Sequence, residues 1–123
     1  MEKPLALVIE DHADQALVFK VALETAGYRT EMLKDGALAQ LRLEEVTPAL
    51  ILLDLHLPNV SGQELLQEIK ANPRFARTRV VVATANPGMM AEVKDQVDLA
   101  LHKPVGFTQL TILAEQLAPR GVD

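Results

Sequence analysis

Five short apolar runs alternate along this chain with segments of helical spacing, and that alternation restricts the fold more than any other feature. The runs are LALVI (5–9), YRTEML (28–33), ALILLD (49–54), RVVVAT (79–84) and DLALHK (98–103). Continuous apolar runs of this length are expected of strands buried on both faces. YRTEML is more polar and belongs nearer an edge. Between and after the runs, residues 14–26, 35–46, 61–72, 87–96 and 106–118 read as helices. Residues 14–26 carry Ala16, Leu17, Phe19, Val21, Ala22, Leu23 and Ala26 mostly at helical spacing, and Gly27 closes that helix. Asp35 is a plausible N-cap for the second helix, and Pro73 ends the third. Strand–helix alternation of this kind predicts an α/β fold, a (βα)5 doubly wound five-stranded parallel sheet with helices on both faces. One domain, residues 1–123, accounts for the whole chain, since no linker, repeat or low-complexity tract divides it. EKPL at the start and PRGVD at the end read as frayed termini.

Composition narrows the function. A net charge of −5 argues against a nucleic-acid-binding face. The absence of cysteine excludes a disulfide scaffold and a thiolate metal site. The start of the chain makes a poor signal peptide, and no segment reaches the length of a membrane span, so a cytoplasmic location is expected.

In a doubly wound sheet the ligand site lies outside the carboxyl ends of the strands. The residues at those ends are therefore the candidates. The first run ends in Glu10 and Asp11, the third in Asp54, the fourth in Thr84, and the fifth in Lys103 followed by Pro104. Three carboxylates on one rim repel one another, and a divalent cation relieves that repulsion most simply. All-oxygen ligands suit Mg2+ or Mn2+. A carboxylate, a hard cation, a lysine and a hydroxyl are the parts needed to transfer a phosphoryl group onto an aspartate.

The stretches VIEDH (8–12), GYRTEMLKDG (27–36), LILLDLHLPNVSG (50–62), VVVATA (80–85) and HKPV (102–105) together resemble the receiver domain of bacterial two-component response regulators, in order and over nearly the whole chain. The resemblance implies a flavodoxin-like sheet with strand order 2-1-3-4-5 and a single-domain, chemotaxis-regulator-like receiver. It implies that Asp54 is the phospho-acceptor, supplied by a sensor histidine kinase or a histidine phosphotransfer protein. Asp11, Asp54 and the backbone carbonyl of His56 would ligate Mg2+ (or Mn2+), with Glu10 acting through a metal-bound water. Thr84 and Lys103 would each contact a phosphoryl oxygen. The Lys103–Pro104 bond would be cis, Pro58 and Gly62 would shape the loop after Asp54, and the small Ala85 would leave the site accessible. The expected protein is a signalling switch rather than an enzyme, limited to self-phosphorylation and slow autodephosphorylation. It would be a monomer or weak dimer with an unnamed downstream target and no nucleic-acid or membrane partner.

Two features depart from the family pattern. Ala100 stands where an aromatic residue usually couples to the threonine, and the stretch from Thr84 to Lys103 is short, which trims the fourth helix or its loop. Both fall on the usual output face. A receiver-like docking module that works without phosphorylation is one alternative. A small phosphatase with an aspartate nucleophile is another, though haloacid-dehalogenase-like enzymes need an acid two residues past the nucleophile, where this chain has His56. The three histidines, His12, His56 and His102, lie near the same rim but are not read as a metal set. Strand alternation turns His102 away from the face Lys103 uses, and no pair has i, i+4 spacing. His56, at the mouth of the site, either tunes the chemistry or is an exposed loop residue.

Overall fold

The computed structural model describes residues 2–119. Five strands and five α-helices alternate: β1 (Leu5–Ile9), α1 (Ala13–Thr25), β2 (Arg29–Leu33), α2 (Gly36–Glu45), β3 (Leu50–Asp54), α3 (Gly62–Ala71), β4 (Arg79–Thr84), α4 (Pro87–Val93), β5 (Leu99–His102) and α5 (Phe107–Leu117). The strands form one sheet in the order β2-β1-β3-β4-β5, and every pairing is parallel. This is the expected architecture and strand order.

The sequence makes this sheet two-faced through the period-2 alternation of side chains. Leu7, Ile9, Ile51, Leu53, Val80 and Val82 pack with Ala39 and Leu43 of α2, Leu65, Leu66 and Ile69 of α3, and Val93 of α4. Their neighbours Ala6, Val8, Leu50, Leu52, Val81 and Ala83 pack with Ala16, Phe19, Ala22 and Leu23 of α1 and Leu110 and Ala114 of α5. Each fully buried leucine or isoleucine is worth roughly 1.5–3 kcal/mol of transfer free energy. That explains why the unbroken run LILL lies in the middle of the sheet, while β2, with Arg29 and Met32 exposed, lies at an edge.

Local signals set the helix ends. The Asp35 carboxylate accepts from Leu38 N at 2.8 Å, so it is the N-cap of α2. The Ser61 hydroxyl accepts from Glu64 N at 3.1 Å, so it is the N-cap of α3. Gly27 follows the C-cap of α1 at φ +105°, in the left-handed region.

The structure departs from the sequence expectation at the fourth helix and at the amino terminus, and adds detail elsewhere. Helix α3 ends before Pro73, as expected. A 3-10 turn, Pro73–Phe75, is capped by Asn72 and brings Phe75 into the core. The fourth helix does not run to residue 96. It becomes a 3-10 turn over Lys94–Gln96, whose greater rise per residue spans the return to β5 with fewer residues. In α1, Ala16, Phe19, Ala22 and Leu23 are buried, while Leu17 is 53% and Val21 43% exposed. The amino-terminal stretch is not frayed at Pro4 and Leu5. The Pro4 carbonyl accepts from Arg29 N at 2.8 Å, and Leu5 is buried in β1. At the other end, residues 120–123 of the stretch read as frayed lie outside the described residues.

Candidate functional site at the carboxyl ends of the strands

Register brings the candidates together. Ile9 lies opposite Leu53, which puts Glu10 abreast of Asp54. Asp54 lies opposite Ala83, and Thr84 opposite His102. Lys103 N then donates to the Thr84 carbonyl at 2.9 Å, fixing the lysine where β5 ends. The Lys103–Pro104 peptide is cis, as expected.

Glu10 and Asp54 are both buried, at 2% and 4% exposure. Two buried carboxylates side by side need compensation. Lys103 Nζ supplies it, 2.8 Å from Glu10 Oε1 and 3.3 Å from Asp54 Oδ2. The other Asp54 oxygen, Oδ1, accepts from His56 N at 2.9 Å. The balance falls differently on the two acids. Burial pushes the Asp54 carboxyl up to about 6; the His56 amide pulls against this, while the neighbouring Glu10 charge adds to it. Burial also raises Glu10, but hydrogen bonds from Lys103, the His12 amide and other neighbours outweigh it and hold Glu10 below its ordinary value. Lys103 is held above its ordinary value: burial works against its charge, and the two carboxylates more than offset that.

Asp11 and His12 complete the rim from the exposed side. The His12 Nδ1 atom lies 3.1 Å from Glu10 Oε2 and 3.3 Å from Asp11 Oδ1. Glu10, Asp11, His12 and Asp54 each offer one donor atom, and these atoms all lie within 4.8 Å of one another. A divalent cation fits this set. Three carboxylates face a single lysine, and burial together with the Glu10 charge makes the ionised form of Asp54 costly without further positive charge.

The rim opens into a cleft of about 1040 Å³ whose wall includes Asp54, His56, Thr84, Ala85, Met89 and Lys103. Ala85 is exposed at the edge of this cleft. Thr84 is buried, and its hydroxyl oxygen accepts from Asn86 N at 3.0 Å. Asn86 in turn caps α4 through Gly88 N and Met89 N. The threonine is thus linked by hydrogen bonds to the first turn of α4.

The structure therefore gathers Glu10, Asp11, Asp54, Thr84 and Lys103 as the sequence pattern led us to expect. Ala100 lies away from the rim, packed with Met89 and Val97 against the α2–α3 side of the core. His102 is exposed and outside the donor cluster among the described residues, as strand alternation predicted. His56 is exposed at the cleft and contributes its backbone to Asp54. His12 is the departure, because its ring joins the acids. Its place directly after the acid pair was the available signal. The cap at Asn86 has a sequence signal too, since Asn-Pro before a helix is a capping pattern.

A model of the response regulator receiver domain matches residues 6–115. The chain is 35% identical over 124 residues to the probable methanogenesis regulatory protein FilR2 of Methanothrix harundinacea, covering 92% of this chain and 80% of that protein. It is 39% identical over 92 residues to response regulator Rcp1 of Synechocystis sp., of whose length it spans 63%. The Mn2+-bound form of Rcp1 superimposes with a TM-score of 0.77 at 29% identity, covering 93% of this chain and 91% of that one. The receiver domain of sensor histidine kinase PA1611 from Pseudomonas aeruginosa, with magnesium in its active-site cleft, gives a TM-score of 0.82 at 26% identity, covering 94% and 97%.

Proposed function

The chain belongs to the response-regulator receiver domain family, a family of phospho-accepting signalling switches, and on that premise we propose that Asp54 is its phospho-acceptor. The observation that carries this reading is the pairing at Asp54: a buried carboxylate at the end of the central strand, facing an open cleft, with one oxygen on the His56 amide and the other on Lys103. Those contacts fix the carboxylate's orientation before a donor arrives, which lowers the cost of reaching a reactive geometry.

The donor is a phosphohistidine of a sensor kinase or phosphotransfer protein. An Asp54 oxygen forms the new P–O bond as the P–N bond breaks. The electron pair leaves with the imidazole nitrogen, which takes up a proton from solvent. Lys103 stands 3.3 Å from Asp54 and offers positive charge to the phosphoryl oxygens. The Thr84 hydroxyl can turn from its role as acceptor and donate to a phosphoryl oxygen. Mg2+ or Mn2+, held by Asp11, Asp54 and the His56 carbonyl with Glu10 behind them, would supply further charge neutralisation at the same oxygens.

The output follows from the Thr84–Asn86–α4 connection. A hydroxyl drawn towards a phosphoryl group pulls on the Asn86 amide and so on the cap of α4. This biases a two-state equilibrium of the α4–β5 face, by no more than the phosphoryl group's differential interaction with the two states. Ala100 removes an aromatic lever from that face, so the loop carries the signal.

Incubation with Mg2+ and acetyl phosphate, read by intact mass, tests the proposal. Gain of one phosphoryl group, absent in Asp54→Asn and with chelator, is the expected result. No gain from acetyl phosphate or from histidine kinases would overturn it and leave a phosphorylation-independent docking module.

A further inference from the structure

His12 occupies the N-cap position of α1 but does not use its side chain as a cap. An N-cap side chain ordinarily accepts from the second or third amide of the helix. This ring turns the other way, and its Nδ1 lies 3.1 Å from Glu10 Oε2 and 3.3 Å from Asp11 Oδ1. The His12 amide also donates to Glu10 Oε2 at 3.2 Å, so backbone and ring are both tied to the same carboxylate. The ring nitrogen is one of four donor atoms that lie within 4.8 Å of one another.

We infer that His12 Nδ1 is a nitrogen ligand of the cation site, and that it shifts the site's preference from Mg2+ towards first-row transition ions such as Mn2+ and Ni2+. This inference rests on the cation-site reading above and adds to it a donor of different chemistry. Magnesium binds oxygen and holds its water tightly, so an imidazole gains it little. Manganese and nickel accept imidazole readily, nickel more strongly, in the Irving–Williams order. The ligating form is the neutral ring with its proton on Nε2. The His12 side chain is 69% exposed, so that proton faces water and needs no buried partner. The cation occupancy of this switch would then follow the available transition metal as well as magnesium.

The test uses the untagged protein and a His12→Asn variant, titrated calorimetrically with Mg2+, Mn2+ and Ni2+. Asparagine is itself a good N-cap, so α1 keeps its start while the nitrogen donor is lost. The expected result is a fall in Ni2+ affinity of roughly tenfold or more in the variant, a smaller fall for Mn2+, and less than about twofold change for Mg2+. Electron spin-echo modulation of the Mn2+-loaded parent should show coupling to a nitrogen that vanishes in the variant. An unchanged Ni2+-to-Mg2+ affinity ratio, or nitrogen coupling that persists in His12→Asn, overturns the role of His12 while leaving the cation site standing. Absence of binding of all three ions by the parent overturns the site itself.

Discussion

Lys103 Nζ stands closer to Glu10 Oε1, at 2.8 Å, than to Asp54 Oδ2, at 3.3 Å. The lysine therefore supports Glu10 at least as much as Asp54, the proposed phospho-acceptor. The Glu10 side chain is 1% exposed, and among the described residues it has no other cationic side chain of comparable burial beside it. Replacing Lys103 by Met removes the ammonium and keeps the stem's volume. In chelator the expected loss is about 3 kcal/mol, the scale for a buried charge stripped of its partner. Urea denaturation measures it. Glu10→Gln in the same background should recover much of the loss, and a loss below about 0.5 kcal/mol would mean that the pair is immaterial to folding.

Stability of the metal-free protein should fall as pH rises from about 4 to 6. Asp54 is raised from an ordinary 3.8 to about 6, first by burial. In that window the folded chain holds a proton that the unfolded chain has released, so the stabilisation is complete below the window and lost as pH climbs through it. The ceiling is about 3 kcal/mol, because each pH unit across the window is worth about 1.4 kcal/mol. Glu10 acts with the opposite sign and lower down, its stabilisation being lost as pH falls through its depressed value. His12, raised chiefly by its hydrogen bond to Glu10, adds a further fall as pH rises above its ordinary 6.5. Thermal melts in chelator from pH 4 to 8 should show the first fall in the parent and not in Asp54→Asn. The variant should also be the more stable protein at pH 7. A melting temperature that rises between pH 5 and 6 would contradict this account.

Gly62 is required by a close approach. A Cβ there would stand 2.5 Å from the Asp54 carbonyl oxygen and 2.5 Å from Leu55 Cα, both backbone atoms that cannot rotate away. Gly62→Ala should therefore cost about 2–3 kcal/mol as the loop after β3 is pushed outward. It should also slow phosphorylation, because the displaced segment holds the His56 amide on Asp54. Gly106→Ala is the control, since a Cβ there meets nothing within 4 Å. Equal stability of the two variants would show that the β3–α3 loop yields more easily than its packing implies.

Thr84→Ala separates chemistry from output. The hydroxyl accepts from the Asn86 amide at 3.0 Å, and losing it should cost about 1 kcal/mol. Asp54 keeps His56 and Lys103, so a phosphoryl group should still be gained from acetyl phosphate. The amide NMR shifts that accompany phosphorylation in residues 85–90 should shrink markedly. Shifts of parental size in the variant would exclude Thr84 as the link to α4.

The amino-acid sequence by itself determined the layered α/β fold and the identity of the rim. Continuous apolar runs such as LILL cannot be satisfied except between two layers of helix, and residues that end such runs must emerge at the sheet's carboxyl edge. Glu10, Asp11, Asp54, Thr84 and Lys103 were legible for that reason. Only the tertiary structure decided how their charges are divided. Register between β1 and β3 set Glu10 beside Asp54, and the path of the chain after β5 gave the lysine to both, nearer to Glu10. Those distances depend on contacts between residues as far apart as 10 and 103, which no local pattern encodes. The turn of the His12 ring towards the acids belongs to the same class. Position 12 reads as a helix start, and the buried Glu10 carboxylate, brought there by strand pairing, is what draws both the His12 amide and its ring.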